Sequence, residues 1–108
     1  MSLPRVYLIK GRDNDVAIDG PGVGTFDFSD YSATRFVCSA LGLSKSSEDG
    51  AGVLELTDAG ANILVHVLEA DLSDQAPGPY EYVVDVKSGS KWFPVAGLTA
   101  QAILSAAP

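Results

Sequence analysis

The sequence predicts an all-β fold, about eight short strands arranged as a sandwich or barrel. Three observations predict it. Tyr80, Tyr82, Val84 and Val86 alternate with Glu81, Asp85 and Lys87, and Val83 is the one apolar residue on the second side. Side chains alternate across a strand, so this spelling gives one buried and one wet face. Short apolar runs rich in β-branched residues recur between clusters of Gly, Pro, Asp and Ser, which end strands. There is neither a sustained helical stripe nor an internal repeat.

Totals set the bounds. The 108 residues, 46% of them hydrophobic, suit one domain over 1–108 that buries a core of its own. A single cysteine, Cys38, excludes an internal disulfide framework and suits a reducing compartment. Formal net charge is −7, and the seven basic residues are scattered. Duplex nucleic acid and anionic membranes both attract clustered Lys and Arg, so neither is expected as a partner. No apolar run approaches a membrane span, and Met1-Ser2-Leu3-Pro4-Arg5 lacks the layout of a signal peptide. The expected location at synthesis is cytoplasmic.

In chain order, Val6 to Lys10 reads as a first, edge strand ended by Gly11. Arg12 to Asp15 is a polar turn, and Val16-Ala17-Ile18 a short second strand. Asp19 to Gly24 carries three glycines and a proline and is read as a loop. Thr25 to Phe28 alternates, and Ala33 to Ala40 is a strand with Phe36, Cys38 and Ala40 on one face. Leu41 to Gly52 has no periodicity and is expected to be a mobile loop. Val53 to Thr57 is a strand, and Asp58 to Ala61 turns. Asn62 to Glu69 is apolar on both parities, which predicts a central strand covered on both sides. Ala70 to Gln75 allows a short helical turn. Pro77 and Pro79 cannot donate to a ladder, so the next strand starts at or just before Tyr80. Ser88-Gly89-Ser90 makes a tight turn into Lys91 to Ala96, where Pro94 implies an edge or bulge. Gly97 marks a bend. Residues 99–106 read as strand or short helix.

Few residues could carry chemistry. His66 is the single histidine, and it lacks a neighbouring nucleophile or a second His or Cys at metal spacing, so a structural role is favoured. Asp13-Asn14-Asp15 with Asp19 lacks the closing Glu of a calcium loop and reads as a turn. Gly20 to Gly24 lacks the Lys-Ser/Thr and the helix of a phosphate cradle. Cys38 reads as a small buried hydrophobe. No catalytic, metal or cofactor-binding residue is expected. Tyr80, Tyr82, Val84 and Val86 are the expected core signature. Trp92, Phe93 and Pro94 are the expected interface, with Trp92 open between core, interface and ligand platform.

The order of these phrases resembles a known family. Lys10-Gly11-Arg12-Asp13 precedes a short strand and a Gly-rich loop. Phe26-Asp27-Phe28-Ser29 precedes the strand Ala33 to Val37. Pro77-Gly78-Pro79-Tyr80-Glu81-Tyr82-Val83-Val84 then leads through a hairpin into Val95-Ala96-Gly97-Leu98-Thr99. This resembles the small immunoglobulin-like β-sandwich domains of tailed-phage and prophage structural proteins, in particular the N-terminal domains of baseplate upper proteins. Asp27-Phe28-Ser29 stands where that family carries Asp-Leu-Ser. The resemblance implies a single immunoglobulin-like antiparallel β-sandwich of about seven or eight strands. It implies a non-enzymatic building block of a tail, baseplate or head–tail connection. Other virion structural proteins, and a homo-oligomer, are the implied partners, and the virion is the implied destination.

Two alternatives stand beside it. A carbohydrate-binding or other small-ligand-binding sandwich needs Trp92 exposed in one plane with Tyr31 or Tyr7. A small enzyme or metal protein would be centred on His66 and the Asp13–Asp19 cluster.

Overall fold

The computed structural model describes residues 4–20, 26–95 and 100–106. Among the described residues nine strands form two sheets: β1 (Val6–Ile9), β2 (Asn14–Asp19), β3 (Ala33–Cys38), β4 (Leu43–Ser46), β5 (Leu54–Thr57), β6 (Asn62–Val67), β7 (Gly78–Ser88), β8 (Lys91–Pro94) and β9 (Ala100–Ser105). The larger sheet runs β1-β9-β7-β3-β4, with β8 also on β7. The smaller runs β2-β6-β5. This is an all-β sandwich with the immunoglobulin strand order. All pairings are antiparallel except that of β1 with β9, which is parallel. Strand count and that one parallel ladder depart from the expected seven or eight antiparallel strands.

Burial follows the alternation. Val6, Leu8, Val16, Ile18, Phe36, Cys38, Ile63, Val65, Val67, Tyr82, Val84, Val86, Ala102 and Leu104 form one core drawn from both sheets. Tyr82, Val84 and Val86 are buried, and Tyr80 is half-buried against the same core. The Tyr80 hydroxyl donates to the Ala76 carbonyl at 2.5 Å. That back-bond fixes the turn into β7, as the tyrosine corner does in immunoglobulin domains. Tyr80→Phe removes one hydrogen bond and little volume. A loss of about 1 kcal/mol is expected in urea unfolding, and no change in midpoint would show that the corner is not held by this bond.

Several elements differ from the sequence reading, each for a physical reason. The 41–52 segment, read as a mobile loop, contains β4 and a 3-10 turn at Ser47–Asp49. It is held because Leu43 is buried, Lys45 Nζ bonds Asp71 Oδ2 at 2.7 Å, and Ser47 Oγ accepts from Thr34 N–H. The third strand stops at Cys38. Ser39–Leu41 is a 3-10 turn that points Leu41 inward and leaves Ala40 exposed. Phe28–Asp30 is also a 3-10 turn, capped by Asp27, so the alternation around Phe26 and Phe28 does not make a strand. Asn14 and Asp15 belong to β2. The Asn14 side chain bonds the Ile9 N–H and C=O and so closes the β1–β2 turn. β6 is central but covered on one face only, since Asn62, Leu64 and His66 are half-buried on the outer side. The allowed helical turn appears at Glu69–Leu72, one residue early. The closing segment is strand β9 from Ala100. Of the segment Asp19 to Gly24, read as a loop, Asp19 ends β2 and Pro21 to Gly24 lie outside the described residues, as do Thr25 and Ala96, Gly97, Leu98 and Thr99.

Candidate functional site

β7 organises the outer face of the larger sheet. Its residues alternate, so Pro79, Glu81, Val83, Asp85 and Lys87 point away from the core. At one end Arg35 on β3 opposes Asp85, and Trp92 on β8 opposes Lys87. Arg35 Nε donates to Asp85 Oδ2 at 2.9 Å, and its guanidinium lies 4.2 Å from the Trp92 ring centre. Lys87 Nζ lies 5.6 Å from the same ring and 3.0 Å from Glu48 Oε2. Cations over an indole face are attracted by its quadrupole. Trp92 is therefore held half-buried on the outer face and is not part of the core.

Its neighbours on β8 are more open. Phe93 is 48% exposed, and Pro94 is exposed too. Val95 N–H donates to Val84 O, so by alternation Phe93 also faces β7 with its backbone, while Trp92 and Pro94 face the free edge. Pro94 has no N–H to offer there, which fits an edge strand.

The three sequence-predicted interface residues thus sit together on one edge. Of the two partners that the sugar-platform reading offers Trp92, Tyr31 packs against the core and Tyr7 lies far along the sheet. Tyr31 stacks on Phe26 with ring centres 5.7 Å apart. Tyr7, 65% exposed, lies on β1 in register with Ile103, which opposes Pro79. Pro79 and Lys87 are separated along β7 by about 26 Å of strand, so Tyr7 and Trp92 lie at opposite ends of the sheet. Near the Pro79 end a shallow cleft of about 370 Å³ is lined by Val37, Ser39, Ala40 and β7 from Pro79 to Val83.

His66 lies on the outer face of the other sheet. Its Nδ1 is 2.7 Å from Asp15 Oδ1 on β2, and its Nε2 is 3.4 Å from Glu55 Oε1 on β5. The Asp15 hydrogen bond holds the imidazole above its ordinary pKa, Glu55 and both carboxylate charges add to this, and partial desolvation opposes it. Sequence reasoning grouped His66 with the Asp13–Asp19 cluster, which contains Asp15, in one alternative reading, and missed Glu55. Asp15 and His66 are 51 positions apart, and only strand register brings them together. Among the described residues, no group of three or more His, Cys, Asp or Glu is arranged to hold a metal ion. Cys38 is buried, and desolvation pushes its thiol up, away from the reactive thiolate. Among the described residues no helix is long and apolar enough to cross a membrane.

No family model matches the chain, and no curated protein matches it.

Proposed function

We propose that the chain is a non-enzymatic structural module that assembles with other proteins, and that its setting is a phage or prophage particle. The setting rests on the sequence resemblance: tail, baseplate or head–tail connection. The observation that carries the assembly reading is the β8 edge. A large apolar ring, Phe93, stands half in water on the Val86 side of this edge strand, and on its other side stands an indole already fixed by Arg35 and Lys87. Ordered aromatics and arginines at an accessible edge are the groups that dominate interface energetics. The binding partners are other virion structural proteins and further copies of the same chain. Synthesis is cytoplasmic, followed by incorporation into the virion.

The test is light scattering after size exclusion, of the chain alone and mixed with proteins encoded beside it. A defined oligomer or complex is expected. Phe93→Ser should weaken it at least about tenfold, the scale of a 1.4 kcal/mol contact. A monomer at every concentration, alone and with those neighbours, would end this reading.

A further inference from the structure

The smaller sheet has an unusual charge pattern. β2, β5 and β6 contain Asp15, Asp19 and Glu55 but no Lys or Arg. His66, on the central strand, is the one side chain of these strands that can become cationic. The groups facing it are Asp15 from β2 and Glu55 from β5. Asp19 lies further along β2 on the same face, and Asp13, just before β2, accepts the Glu69 N–H.

Both ring nitrogens lie against carboxylate oxygens. An imidazolium donates from both. A neutral imidazole donates from only one, and its other nitrogen presents a lone pair. The neutral ring keeps the shorter contact, Nδ1–H to Asp15, and turns a bare Nε2 toward Glu55 Oε1. Two acceptors then face each other, and the contact to β5 is repulsive. We infer that His66 is a proton-dependent tie across the smaller sheet, holding the edge strand β5 when the imidazole is charged and releasing it when the imidazole is neutral.

β5 is the element such a tie would control. It has four residues, pairs with β6 on one side only, and carries Leu56, 36% exposed. Short edge strands occupy the low end of local stability. The sign follows from the raised pKa. The tie contributes fully below the unfolded-state value, about 6.5, and is lost as pH rises through the higher folded value. The inference is independent of the assembly reading and stands or falls on the isolated chain.

The test follows the His66 ring by NMR between pH 5 and 9, together with hydrogen exchange at Glu55 and Thr57. The Val53 carbonyl accepts from His66 N–H, so by alternation the Glu55 and Thr57 amides face β6. The ring should titrate above its ordinary value. Exchange at these amides, corrected for intrinsic rates, should quicken about two- to fivefold as the proton leaves, the scale of an exposed ion pair. Asp15→Asn should lower the ring midpoint. Glu55→Gln should uncouple β5 exchange from the ring titration, and it replaces no core residue, so folding is retained. A midpoint at or below the ordinary value, or β5 exchange that ignores the ring in the unaltered chain, would overturn the inference. So would a Glu55→Gln profile identical to that of the unaltered chain.

Discussion

Tyr82→Ala is expected to destabilise the chain by about 3–5 kcal/mol, the range for truncating a buried aromatic. Tyr82 is the largest fully buried side chain. Its ring stacks on Phe36 with centres 5.0 Å apart, joining β7 to β3. Its hydroxyl donates to the Pro4 carbonyl and so tethers the chain just before β1. Burial pushes this phenol well above its ordinary pKa, so it stays a donor throughout the physiological range. Immunoglobulin domains of antibodies place a disulfide cysteine two residues after the corner tyrosine. Here that position holds Tyr82, a large side chain of the shared core. Urea unfolding is the measurement. Tyr82→Phe separates the contributions, since it keeps the stack and loses only about 1 kcal/mol of hydrogen bonding. A loss below about 1 kcal/mol for the alanine variant would contradict the core as described.

Gly60→Ala is the second large effect, about 2 kcal/mol or more. Gly60 has φ +96°, where an L-residue pays a steric penalty of roughly 1–2 kcal/mol. A Cβ at Gly60 would also overlap Asp27 Oδ1 and approach Ser29 Oγ at 3.0 Å. Asp27 Oδ1 accepts from Ser29 N–H at 2.8 Å and from Ser29 Oγ at 2.5 Å, which holds the Phe28–Asp30 turn and its buried Phe28. Moving that carboxylate removes a cap worth about 1 kcal/mol in addition to the backbone strain. Thermal unfolding would show it. A midpoint within a degree of the unaltered chain would mean that the two turns are not interlocked. The Asp58–Gly60 turn was legible as a turn, but its contact with Asp27 was not.

Legibility tracks how much of the information is local. β7 is plain in the sequence because its alternation is nearly strict and its turns at either end are spelled with Pro and Gly. β4 is hidden because only Leu43 faces the core directly, and the remainder is Ser-Lys-Ser, held through an ion pair to Asp71 far along the chain. β9 reads equally as helix because alanine suits both. Neighbours on both sides, β1 and β7, decide it. The β8 edge was readable because Pro94 marks an edge by itself. The Arg35–Trp92 stack and the Asp15–His66–Glu55 triplet depend on register between distant strands, which no local pattern encodes.

The parallel pairing of β1 with β9 has a mechanical consequence. Two neighbouring strands that run the same way enter the sandwich at one pole and leave it at the other. Polypeptide attached before Val6 and after Ser105 would therefore pull in opposite directions along one shared seam. Tension would slide the rungs from Val6–Ala102 to Ile9–Ser105 past each other together, without opening them one at a time.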